Sequence, residues 1–111
     1  MRTAGFLSII LIAPLAMAGP LRAQDISTPG QGLVLAKQVC ARCHAVEKGS
    51  TASPAAGAPR FEEIANTPGM TATALSAALH TSHATMPNLV LTADEAGNVI
   101  AYILSLKRDN R

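Results

Sequence analysis

The chain has 111 residues, with nine Lys and Arg against seven Asp and Glu, and it holds two Cys, two Phe, one Tyr and no Trp. That length makes one domain. The charges are evenly mixed and form no basic run, which excludes the footprint of a nucleic-acid binder and names no partner by sign.

The first segment reads as an address for export. Met1-Arg2 supplies a positive start, and residues 6–18 form an apolar run too short to span a bilayer comfortably, with Pro14 inside it. A secretory signal peptide over residues 1–23 is expected, cleaved after Ala23 where the polar chain begins. Ala16-Met17-Ala18 offers an earlier cleavage site, and an uncleaved anchor is the rival reading. Loss of Arg2 and Arg22 would leave seven basic against seven acidic residues in a mature domain of residues 24–111, and the excess positive charge would disappear. Export predicts a periplasmic location and no stable membrane insertion after cleavage.

Thr28-Pro29 predicts the start of a helix, with the hydroxyl as cap and Pro in the first turn, where its missing N–H does no harm. The helix is expected to run to about residue 41, with Gly32, Ala36, Val39, Cys40 and Cys43 on one face. Gly32 inside this pattern costs about 1 kcal/mol relative to Ala, which points either to a second backbone crossing closely there or to a tolerated glycine near a frayed helix end.

The helix delivers Cys40-Ala41-Arg42-Cys43-His44. Two thiols three positions apart, followed at once by an imidazole, suit two thioethers to one haem with the His on its iron. Residues three apart lie on nearly the same helical face, so both sulfurs reach adjacent edges of one macrocycle. A redox disulfide needs a strand-helix-strand setting, and no strand pattern surrounds these residues. A zinc site would need His44, His80 and His83 to complete it, because no further Cys exists. A disulfide closing over two residues would constrain little of the unfolded chain. A covalently held haem would also staple a domain whose thin core is Ala, Leu, Ile and Val with only Phe61 and Tyr102 as aromatics.

Residues 45–60 are rich in Ala, Ser, Gly and Pro and predict a loop. A ligating imidazole usually donates its other N–H to a carbonyl. Pro59 is the candidate to supply it, against the alternative that Pro59 only shapes the turn before Phe61. Residues 61–65 predict a short helix with Phe61, Ile64 and Ala65 on one face, ended by Asn66-Thr67-Pro68-Gly69. Thr71 is expected to cap another helix to about residue 81, with Leu75, Ala78 and Leu79 inward.

Chemistry concentrates again at residues 80–88. A low-spin haem iron needs a ligand opposite His44, and the candidates are Met70, Met86, His80 and His83. Met86 leads, because the following Pro87 denies it the helical conformation and sets it on an extended loop; His83 is next. Met70 suits packing at the start of a helix, and His80 and His83 suit solvent or a helix cap. Thr92-Ala93-Asp94-Glu95 is a capping box that opens a last helix to about residue 107, with Ala96, Val99, Ile100, Ile103 and Leu106 buried and Tyr102 bordering them.

From about residue 30 to 106 this pattern resembles the small bacterial class I cytochromes c. The resemblance rests on Cys40-Ala41-Arg42-Cys43-His44 and Met86-Pro87, with Gly32 and Ala36 on the first helix and Val99 and Tyr102 on the last. Ala36 departs from the aromatic more usual at that place. The resemblance implies an all-α fold of about four short helices around one haem c attached through Cys40 and Cys43, with His44 and Met86 as axial ligands and Pro59 supporting His44. It implies an electron carrier that meets redox protein donors and acceptors transiently, without substrate chemistry of its own and as a monomer. The alternatives are a cytochrome subunit of a larger dehydrogenase, or a haem peroxidase or gas sensor with an open or labile sixth position.

Overall fold

A computed structural model describes residues 27–109. The expected signal segment and its cleavage sites lie outside these residues. Four helices occur in the order α1 (Pro29–Val39), α2 (Phe61–Ala65), α3 (Ala72–Leu79) and α4 (Ala93–Ser105), and no strand occurs among the described residues beyond an isolated bridge between His83 and Met86.

The starts follow the expected local chemistry. Thr28 accepts from the Gln31 N–H with Pro29 in the first turn, Thr71 accepts from the Ala74 N–H, and Thr92 and Glu95 form the reciprocal box that opens α4. The ends of α1, α3 and α4 come about two residues earlier than the periodicity predicts. α3 and α4 close in a tighter turn, with Thr81 bonded back to Ala78, Leu106 to Ile103 and Lys107 to Leu104, whereas α1 closes in a wider one, the Cys40 and Ala41 N–H groups sharing the Ala36 carbonyl.

The crossing of α1 over α4 is the main helix interface, and α3 and α2 pack on α4. Gly32 makes the close approach possible. A Cβ built there would lie 2.0 Å from the Asn98 carbonyl oxygen and 2.7 Å from Tyr102 Cβ, so only a bare backbone fits. Ala36, next on the same face, is fully buried, as is Val99 opposite. Asn98 locks the crossing from its rim, accepting from the Thr28 N–H at 2.8 Å and donating to the Gln31 side chain at 3.0 Å.

Two buried faces differ from expectation. Tyr102 sits inside the core while Ile100 is only half-buried. The reason is polar: the Tyr102 hydroxyl donates to the Val46 carbonyl at 2.6 Å, so the ring can be buried without stranding its oxygen. In α3 only Leu75 is fully buried; Leu79 is half-buried and Ala78 exposed. Among the helices α3 touches α4 alone, so one narrow stripe of it is covered.

Candidate haem site

Helix α1 ends at the first thiol. The Cys40 N–H still bonds to Ala36, and the Cys43 and His44 N–H groups both turn back to the Cys40 carbonyl at 3.1 and 2.9 Å. This one turn carries both sulfurs and the imidazole. The two thiols are free, not joined as a disulfide, with Cys40 buried and Cys43 half-buried. Burial pushes the Cys40 thiol above its ordinary pKa of 9.0, so it stands as a neutral thiol at neutral pH.

His44 is fixed from its far side. Its Nδ1 lies 2.7 Å from the Pro59 carbonyl oxygen. A carbonyl can only accept, so Nδ1 carries a proton, and in the neutral ring the lone pair falls to Nε2. The Phe61 ring packs on the imidazole at 5.6 Å between centroids, tilted by 50°, and Tyr102 packs on Phe61 at 6.4 Å. The His44 imidazole thus leans, through Phe61, on the same core as the helix crossing.

The loop over residues 45–60 is tied down along its length. Ala55 N–H donates to the Cys43 carbonyl and Phe61 N–H to the Ala45 carbonyl. The Ser53 hydroxyl accepts from Ala45 N–H at 2.9 Å, Glu62 accepts from Gly49 N–H at 2.9 Å, and Arg60 donates to the Ser50 carbonyl at 2.8 Å. Gly49 and Gly57 take positive φ angles of 79° and 82° at its bends, which glycine adopts without a side-chain penalty. Sequence reasoning missed Ser53, Arg60, Glu62 and Glu63 as supports. Glu63, three residues after Arg60 and just inside a helix, had capping-box spacing and was detectable; the Ser53 and Glu62 contacts depend on loop path and had no local signal.

The structure brings Cys40, Cys43, His44 and Pro59 together in one turn and its support. Met86 lies elsewhere, between α3 and α4, in a turn where its N–H donates to the His83 carbonyl at 3.3 Å. Its side chain is half-buried and stands outside the core cluster, whereas Met70 packs against that cluster. His80 is engaged at the end of its own helix, Nδ1 to the Ser76 carbonyl at 2.7 Å. His83 is exposed. Just beyond Met86, Val90 is 98% exposed.

The donor set fits the group that the motif implies. Two unbridged thiols one turn apart and an imidazole with a free Nε2 are the chemistry that holds a haem through thioethers and one nitrogen ligand. Among the described residues no group of three or more His, Cys, Asp and Glu is arranged to hold a bare metal ion, so the zinc alternative has no support there. The sequence profile of the family described as cytochrome c matches residues 27–107. The chain belongs to the cytochrome c family. A curated relative, "Cytochrome c-552" of Bradyrhizobium diazoefficiens, is 36% identical over 93 residues, covering 84% of this chain and 88% of that protein. No solved structure gives a significant match. This cytochrome c is accordingly an all-α electron-transfer protein with haem c covalently attached through its cysteines. No helix of the described residues is long and apolar enough to cross a membrane.

Proposed function

We propose that the protein is an exported one-electron carrier whose iron is held between His44 and Met86. The bond from His44 Nδ1 to the Pro59 carbonyl carries the reading, because it fixes the tautomer that leaves Nε2 basic and aims the ring. The haem, when attached, supplies a one-electron iron couple. Cys40 and Cys43 hold it by thioethers, and Pro59 keeps the imidazole in one orientation. Met86 is the thioether to fill the opposite position: Met70 is spent on packing and His80 on its helix end, while Met86 is held by neither. A thioether there raises the potential relative to a second imidazole. With His44 and Met86 to hold it, the haem would supply electron transfer alone, and no acid or base residue would be needed beside it.

Donor and acceptor are redox proteins met in brief encounters, which need little interface. Residues 1–23 are the signal peptide and residues 24–111 the mature, monomeric domain in the periplasm. A potentiometric titration of the protein matured in a periplasm tests the carrier role. One reversible one-electron step is expected, with a ferrous form that leaves carbon monoxide unbound on mixing. Rapid carbon monoxide binding would assign the protein to sensing or peroxidatic chemistry. The secreted chain should begin at Gln24 and be recovered in the periplasmic fraction; a retained leader would contradict export by cleavage.

A further inference from the structure

Pro59 and Arg60 share one peptide group, and both of its polar ends are bonded. The carbonyl accepts from His44 Nδ1 at 2.7 Å, and the N–H donates to Glu63 Oε2 at 2.9 Å. The peptide is trans, so the two bonds leave from opposite edges along one dipole. A carboxylate, a peptide and an imidazole therefore form a single hydrogen-bonded line.

The carboxylate is held in that line. Its Oε1 accepts from Arg60 Nε at 3.0 Å and Nη2 at 2.8 Å, and Arg60 Nη1 is anchored on the Ser50 carbonyl. The Arg60 side chain, followed by its backbone N–H, holds the Glu63 carboxyl below its ordinary pKa, so Glu63 is an anion at neutral pH. An anion accepting from the N–H of an amide raises the electron density at its carbonyl oxygen, because bonds in a chain polarise one another. A stronger acceptor at Nδ1 makes the opposite nitrogen a stronger donor to a metal.

We propose that Glu63 is a positioning and tuning residue for the proximal histidine. Its charge is relayed through the Pro59–Arg60 peptide to His44 and favours the ferric state. The contact that starts α2 thereby also sets the iron's electron affinity. The inference rests on His44 being the iron ligand.

The test compares Glu63→Gln, Glu63→Ala and Glu62→Gln in the haem-loaded protein. The Gln variant at 63 keeps an oxygen for the Arg60 N–H and removes the charge. Glu62→Gln makes the same charge change one residue away, where the carboxylate bonds Gly49 instead. Glu63→Gln should raise the ferrous-to-ferric ratio at fixed poise about threefold, about 28 mV at 59 mV per tenfold for one electron. Glu62→Gln should shift it by less than half as much. In the diamagnetic ferrous protein the His44 Nδ1–H proton resonance should move upfield in Glu63→Gln and stay in Glu62→Gln, reporting a weaker bond directly.

Equal potentials in Glu63→Gln and Glu62→Gln would reduce the effect to through-space charge and overturn the relay. So would a shift in Glu63→Ala with none in Glu63→Gln, which would leave Glu63 a structural cap only. Failure of the ligand reading itself shows in the wild type, as His44 ring protons outside the region shifted by an overlying macrocycle, and overturns the proposal with it.

Discussion

Replacing Gly32 by Ala tests the helix crossing on which the attachment turn is built. The added Cβ would sit 2.0 Å from the Asn98 oxygen, 2.6 Å from its carbonyl carbon and 2.7 Å from Tyr102 Cβ. Two of these atoms are main chain of α4, so no rotamer change relieves the clash. Ordinary contact begins at 3.4 Å, and the helices would have to part by about 1.4 Å locally. Parting them loosens Ala36 and Val99, both essentially without solvent exposure, and the Tyr102 ring. Overpacking of this kind costs about 3 kcal/mol, and the better helix propensity of Ala returns about 1 kcal/mol. The net loss is about 2 kcal/mol, which in a domain of this size lowers the melting temperature by about 10 °C. Gly30, also in α1, has nothing within 4 Å of its built Cβ, so Gly30→Ala should gain up to about 1 kcal/mol. Guanidinium unfolding of the haem-loaded proteins, followed by far-ultraviolet circular dichroism, reads both. A Gly32→Ala protein as stable as wild type would refute the close crossing.

Tyr102→Phe removes the hydroxyl that satisfies the buried Val46 carbonyl and should cost about 1–2 kcal/mol in the same unfolding assay; Phe61 packing should survive, so near-ultraviolet dichroism of the remaining aromatics should persist. Acid stability follows from two carboxyls. Glu63 is held low by Arg60, and Glu95 by the backbone N–H and then the hydroxyl of Thr92, each below the ordinary 4.5. A depressed folded-state pKa gives stability that is full above the unfolded value and lost as pH falls through the folded one. Unfolding midpoints should therefore be flat above pH 6 and fall below about pH 4.5, and Glu95→Gln should flatten that fall. A midpoint that rises on acidification would contradict both contacts.

The parts of the fold governed by local chemistry were legible. Thr28-Pro29, Thr71 and the Thr92–Glu95 box each start a helix where their hydroxyls predict, while Gly32 left two readings open in the sequence and only the position of α4 decides for the close crossing. The Pro59 carbonyl lies 2.7 Å from His44 Nδ1, the contact that the sequence offered beside the alternative that Pro59 only shapes the turn before Phe61. The buried side of α4 was misjudged at Tyr102 and Ile100, since hydropathy alone cannot see that Val46, far away in sequence, offers the hydroxyl an acceptor. Ala78 was misjudged for a related reason: helical periodicity gives the apolar stripe of α3 but not how many neighbours cover it. The supports of the attachment loop, Ser53, Arg60 and Glu62, and the tie that Asn66 makes from the end of α2 to the end of α4, work through carbonyls and N–H groups placed by the path of the chain. Asn66, for example, accepts from the Arg108 N–H and donates to the Leu106 carbonyl, a pairing with no periodic trace.

The proposed carrier role depends on His44 and Met86 together holding the haem iron. The absorption spectrum of the ferric protein, taken into the near infrared for wild type, Met86→Ala and Met70→Ala, tests it most directly. The account predicts a weak methionine-to-iron band in wild type that persists in Met70→Ala and vanishes in Met86→Ala, with the last protein binding cyanide readily. A band that survives Met86→Ala, or a wild-type ferric spectrum that is high-spin from the outset, would contradict it.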